Sequence, residues 1–355
     1  MSALLLLLLF PLVWPFVAKA IWKRDVSWKE VGVNIVIVVI LVSGVWYAGR
    51  WAKTADTEVW NGEVTGKEKV WTSCEHSYPC NPYPCNCDDK GNCSTCWQTC
   101  YEHTNDWNWM VRTNIGDVNI ARIDRRGSKE PPRFTQVKLG EPASFTYPFT
   151  NYIKAVPESL FHAKGGNEKF LPLVPPYPLT VYDYFHVDRV LSAGVNIPDL
   201  VQWNRELPFI LRDLGPKKQA NVVILFVNTN DQNYVYALER AWLGGKKNDI
   251  VVVVGTSQYP KIDWVYVMSW TKEELFKINL RESIKDLETI DRAQILKLVH
   301  DTTLSSFQRR HMKEFEYLKY SIEPPTWVTV LAAILAIGGS VGLSIYFKEN
   351  DPFDG

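Results

Sequence analysis

The chain has 355 residues, balances 39 basic against 39 acidic side chains and is 46% hydrophobic. Zero net charge provides no basic face, which argues against nucleic acid as a partner. The length allows two modest domains, and three long apolar runs at residues 3–18, 31–48 and 326–347 add membrane segments to a middle of ordinary soluble composition.

The first segment, residues 1–20, carries no charge from position 3 to 18 but contains Pro11 and Pro15. It reads as an uncleaved transmembrane helix or as a signal-like segment. Ala18 and Ala20 around Lys19 are A-x-A-like, whereas the start lacks the Lys or Arg of a signal peptide. Residues 31–49 form a transmembrane helix rich in Val and Ile. The loop between them, with Lys19, Lys23, Arg24 and Lys29 against Asp25 and Glu30, is of the short cationic kind retained in the cytoplasm. An integral, multi-pass protein with its body in an extracytoplasmic (periplasmic) compartment is therefore expected. Residues 326–347 return the chain as a third transmembrane helix, with Arg309, Arg310, Lys313 and Lys319 on its other flank opposing that orientation. Ala332, Ala336, Ser340 and Ser344, beside a G-x-x-x-G of Gly338 and Gly342, make a small-residue stripe. Such a stripe is common in membrane helices and also serves as a face for a protein partner or for self-association. Membrane lipid is the other expected partner: Trp14, Trp22, Trp28, Trp46, Trp51 and Trp327 lie near the ends of the runs, as an interfacial belt requires.

All seven cysteines, Cys74, Cys80, Cys85, Cys87, Cys93, Cys96 and Cys100, fall in one short segment, with His76 and His103 at its edges. Outside the membrane, three disulfides would staple a polar, loop-rich stretch and leave one thiol for a partner chain. If the cluster is reduced, thiolates and imidazoles would instead hold Zn2+, although only Cys93 and Cys96 form a C-x2-C knuckle. Alternating apolar and polar residues predict strands at 58–71, 107–125 and 134–139. Residues 57–150 thus read as a Cys-rich antiparallel β module with a stapled hairpin tip. Tyr78, Pro79, Pro82, Tyr83 and Pro84 serve there as gap-fillers or as a recognition surface.

Residues 151–215 read as an irregular linker, broken by Gly165, Gly166, Pro172, Pro175, Pro176 and Pro178, with a short helix at 198–211. A small α/β domain is predicted at 216–320. Its elements are buried-type strands at 221–227 and 249–254, a helix at 233–242, a third strand at 264–270 and two helices at 271–286 and 291–320. Thr271 is the expected cap of the first of these helices, with Glu274 in its capping box. On the last, Leu304, Phe307, His311, Phe315 and Leu318 share a face. His300 and His311 also share a face there, three turns apart and too distant to chelate one metal. Beyond the strand ends, Asn230, Asp231, Thr256 and Ser257 suit a hard-cation concavity, or ordinary turns and caps.

The order strand, helix, strand, strand, helix, helix and span resembles the TPM domain, a family of extracytoplasmic α/β domains. The residues that carry the likeness run from 236 to 254, YALERAWLGGKKNDIVVVV, where a Gly-Lys-rich turn and an Asn-Asp pair open an apolar strand. The family's turn ends in Asp-Asn-Gly, whereas here Asn248 and Asp249 are reversed and no Gly follows. The resemblance implies Ca2+ held by acidic loops and, in some members, an acid phosphatase activity. The matching loop positions, and metal candidates on that ground, are Asn248 and Asp249, while Asp231, with Asn228 and Asn230 in the loop after the strand at 221–227, is a metal candidate by strand-end geometry alone. The whole chain, through CEHSYPCNPYPCNC and GPKKQANVVIL, also resembles uncharacterised membrane proteins of large tailed phages.

Missing signatures narrow the chemistry. There is no G-x-S-x-G, no H-E-x-x-H and no G-x-G-x-x-G after a strand, and Gly244, Gly245 and Lys246 lack the rest of a phosphate loop. No catalytic residue is assigned. The expected architecture is a membrane-anchored α+β protein: a Cys-rich antiparallel β module, then a small TPM-like α/β domain, with transmembrane helices at both ends. The expected role is that of an extracytoplasmic interaction or scaffold protein. A membrane-tethered TPM-like phosphatase or metal-binding hydrolase is the alternative.

Overall fold

A computed structural model describes residues 2–23, 25–87, 89–156, 168–183, 187–350 and 352. Gly165 and Gly166 of the expected linker lie outside them. In chain order the elements are helices α1 (Ser2–Trp22) and α2 (Trp28–Thr54), then strands β1 (Ala55–Thr72), β2 (Ser77–Cys85), β3 (Ser94–Tyr101), β4 (Asp106–Thr113) and β5 (Gly116–Ile120). There follow α3 (Pro132–Gln136), β6 (Pro142–Thr150), α4 (Tyr152–Ala155), β7 (Val190–Ala193), α5 (Leu200–Lys218), β8 (Asn221–Val227), α6 (Tyr234–Trp242), β9 (Asp249–Gly255) and β10 (Trp264–Ser269). Helices α7 (Glu274–Lys285), α8 (Arg292–Ser306), α9 (Thr326–Ile334) and α10 (Ser340–Asn350) complete the chain, the last two joined by a π turn at Leu335–Gly339. Two compact units result: Met1–Thr57 with Pro148–Gly166 and His311–Gly355, and Glu58–Tyr147 with Asn167–Arg310.

In the first unit, three helices, Ala3–Trp22, Trp28–Thr54 and Thr326–Asn350, are long and apolar enough to cross a membrane. Val38, Val42, Ala332 and Ala336 form their shared core. Lys53 donates to the Glu323 carbonyl at the far end of α2, and Lys348 lies over the Trp22 ring at the other, so α2 and α9–α10 run antiparallel. The small-residue stripe faces inward within the chain. Ser340 and Ser344 are buried, and Asn34 donates to the Ser340 carbonyl and the Ser344 hydroxyl, each at 3.0 Å. A polar side chain in an apolar bundle needs such partners. Gly338 and Gly342 face open space instead.

Among the described residues, the second unit holds two four-stranded sheets and a separate two-stranded ribbon. The first sheet has the order β5-β4-β1-β6, with β4 antiparallel to both β1 and β5. The expected run 107–125 turns back at Asn114 and Ile115, which supplies two strands instead of one. Residues 134–139 are not a strand. Pro132 at a first helical position starts the short α3, and the sheet takes its fourth strand from β6.

The second sheet has the order β10-β9-β8-β7, parallel except for β10. Its β8 and β9 are buried at every position. Alternate residues feed two cores, Val222, Ile224 and Phe226 toward α5, α7 and α8, and Val223, Leu225 and Val227 toward α6. That double burial explains why both strands read as continuous apolar runs. The sheet recruits β7 and most of α5 from the stretch read as linker, the short helix expected at 198–211 running on to Lys218. Gly215 of α5 lies so close to β1 that a Cβ there would sit 1.9 Å from the Asn61 carbonyl oxygen.

The predicted helix 291–320 is broken. Phe307 leaves α8 in an extended conformation and packs on Phe276, with ring centroids 5.5 Å apart, while Lys218 caps its carbonyl. Thr271 pairs with this extended segment by donating to the Gln308 carbonyl at 3.2 Å, and α7 starts later, without a side-chain cap. His300 and His311 therefore lie on different elements, and His311 precedes a 3-10 turn.

Candidate functional site

The two-stranded ribbon is the hairpin β2–β3. Ser77 pairs with Tyr101 and Cys85 with Ser94, with a register shift between Cys80 and Pro82. Six cysteines pair along it. Cys80–Cys100 and Cys85–Cys96 cross the ribbon diagonally with Cα atoms 5.8 and 5.7 Å apart, and Cys87–Cys93 closes the tip. The C-x2-C knuckle is thereby split between two disulfides, and Cys74 alone stays free and buried. Side chains alternate across a strand, so the register puts Trp97 and Tyr101 on the face shared with Pro79, Pro82 and Pro84, opposite the disulfides. Trp97 is 55% and Tyr101 58% exposed, large for rings outside any core.

The root of this hairpin holds the free thiol. Thr72, at the end of β1, pairs with Asp106, at the start of β4, and the chain between them is the hairpin itself. Cys74 Sγ lies 3.7 Å from His103 Nδ1, which lies 3.2 Å from Asp106 Oδ1. The ligand atoms of all three are within 4.8 Å of one another. Cys74 and Asp106 are buried, while a quarter of the His103 side chain is exposed. Asp106 Oδ2 accepts from the Glu75 amide at 3.1 Å and from Arg122 at 3.4 Å. Arg122 is itself held by Asn108 and Glu75. Burial opposes ionisation of Asp106, but the Glu75 amide, Arg122 and His103 outweigh it and hold the carboxyl below its usual range. Cys74, His76 and His103 stand out in the sequence as part of the cysteine-rich segment, whereas Asp106 does not: it lies just before the strand expected at 107–125. The C-x28-H-x2-D spacing becomes a signal only once β1 and β4 are paired.

The candidates from the α/β region do not converge. Parallel pairing sets Asn221 against Asp249 and Val227 against Gly255, so Asn248 and Asp249 open β9 at one end of the sheet. Asp231 follows β8 at the other end, about 20 Å away at ~3.3 Å per residue. Asp231 pairs with Lys169 at 2.8 Å and accepts from the Asn233 amide, contacts that keep its carboxyl below the ordinary value. Asn248 donates to the Val59 carbonyl at 2.7 Å. These three residues therefore do not fit a shared Ca2+ site. Asn228 bonds the Gly194 carbonyl and Ser257 bonds Asp263, the work of turns.

Asp249 belongs to a buried polar cluster instead. Its carboxylate accepts from Asn221, Tyr177 and the Lys246 amide at 2.7–2.9 Å. Arg189, fully buried, donates to Asn221, Asn61 and Ser144 at 2.7–2.9 Å, tying β8 to the strands of the first sheet. Burial pushes the Asp249 carboxyl up to about 6 and the Arg189 guanidinium down to about 10. Asp249 and Arg189 are both buried, and their bonds link the strands of the two sheets. No protein-family model, curated protein or solved structure matches the chain.

Proposed function

We propose that the chain is a membrane-anchored extracytoplasmic interaction protein, whose body displays the stapled hairpin to a protein partner. The observation that carries this reading is the hairpin itself: three disulfides rigidify a ribbon whose other face is Trp97, Tyr101 and prolines. Disulfides persist in oxidising compartments. Rigid exposed aromatics supply binding area at low entropic cost. The three membrane-length helices flank the body in sequence, which suits tethering at a surface. The TPM-like hydrolase reading has less support, because Asp231 and Asp249 lie at opposite ends of the sheet and Asp249 is enclosed in the packing cluster.

A photo-crosslinking side chain placed at Trp97, at Tyr101 and, as a control, at Leu139 tests the proposal in intact cells. Leu139 is 68% exposed and adjoins Gly140, which bonds the Val64 carbonyl at the end of the β1–β4 pairing opposite to the hairpin. The expected result is a discrete protein adduct from positions 97 and 101 and none from 139. Equal adducts from all three, or none, would count against display by the hairpin.

A further inference from the structure

We propose that Cys74, His103 and Asp106 form a Zn2+ site at the root of the hairpin, independent of the disulfides. The donor set is the first argument: a thiolate, an imidazole and a carboxylate are all ordinary zinc ligands. Their spacing is the second. At zinc bond lengths a tetrahedron separates sulfur from nitrogen by about 3.6 Å and nitrogen from oxygen by about 3.3 Å. The observed separations are 3.7 and 3.2 Å. Charge is the third: one thiolate and one carboxylate neutralise the dication, so a buried site carries no net charge.

The surroundings are arranged as such a site requires. Arg122 and the Glu75 amide occupy Asp106 Oδ2 and leave Oδ1 turned toward His103. That is how outer hydrogen bonds orient a ligating carboxylate. A thiol–imidazole–carboxylate relay would need the thiol and the carboxylate on opposite ring nitrogens. Here both address Nδ1, the position a metal would take. The three ligands come from the segment between β1 and β2, the turn after β3 and the first residue of β4. A metal would therefore pin the hairpin to the sheet at the point where the disulfides stop. Three protein ligands leave a fourth position for water or an incoming group, and a quarter of the His103 side chain is exposed beside it. Binding would release the Cys74 thiol proton to solvent.

The test uses the full chain purified in detergent, stripped with chelator without reductant, its three disulfides verified by peptide mapping. Cobalt and zinc are the probes. The expected result is one equivalent of cobalt with tetrahedral d–d absorption and a thiolate-to-cobalt charge-transfer band, both displaced by zinc. Cys74→Ser should abolish the charge-transfer band, and His103→Gln, at a part-exposed position and with its fold checked by circular dichroism, should weaken uptake by about tenfold or more. Arg122→Ala should keep the band and weaken affinity by about 10–100-fold. Failure of the wild type to take up metal, or uptake with an unchanged spectrum in both Cys74→Ser and His103→Gln, would overturn the assignment.

Discussion

Strands β8 and β2 lie in the same unit and are held by opposite means. Every residue of β8 is buried, and its two faces feed two apolar cores that contain Trp203, Leu207, Phe226, Tyr234 and Leu238. No residue of β2 is fully buried; its ribbon pairs only with β3 and is closed by three disulfides. An isolated two-stranded ribbon is marginal in water, and each crosslink adds typically about 2–4 kcal/mol by constraining the unfolded chain. The comparison separates what each region is free to do. The sheet must keep its sequence apolar, whereas the ribbon, rigid without a core, is free to expose aromatic rings.

The largest expected effect breaks the sheet side of this comparison. Arg189→Ala leaves Asn221, Asn61 and Ser144 without their buried donor and Asp249 without the charge that favours it, which should destabilise the body by about 3–5 kcal/mol. The urea midpoint of tryptophan fluorescence reads this loss, and peptide mapping should still find all three hairpin disulfides. A loss under about 1 kcal/mol would mean that the cluster is not what joins the sheets.

A smaller effect sharpens it by pH. His300 lies 2.9 Å from Asp301 and 3.0 Å from Asp213, and these bonds raise its folded pKa above the ordinary value despite the opposing effect of burial. The stabilisation is therefore full below the unfolded histidine value and is lost as pH rises through the raised folded one. Between about pH 5.5 and about pH 9 the wild type should lose up to about 1 kcal/mol relative to His300→Gln. Parallel pH profiles for the two proteins would remove His300 from the α5–α8 contact.

Legibility in the sequence followed the same division. Strands β8, β9 and β10 were readable because burial on both faces writes an unbroken apolar run, and the membrane helices because length and hydropathy suffice. The three-disulfide use of the cysteines was open to reading from their clustering and odd number, but their pairing needed the β2–β3 register. Short β7 escaped, since four residues among prolines and glycines carry no periodicity. So did the break at Phe307, whose helical spacing from Leu304 and His311 is overridden by its packing on Phe276. Asn248 and Asp249 were visible as a polar pair, but only the parallel register reveals that they sit at the end of the sheet away from Asp231. Asp106 joins Cys74 through a β1–β4 pairing that no local pattern encodes.

The most direct measurement is labelling of intact cells with a membrane-impermeant thiol reagent, before and after external reduction, with mass mapping of every cysteine. A body outside the membrane with a stapled hairpin predicts label on Cys80, Cys85, Cys87, Cys93, Cys96 and Cys100 only after reduction. Label on these residues without reduction, and only once the cells are lysed, would place the body in the cytoplasm with free thiols and contradict the display of a disulfide-held face.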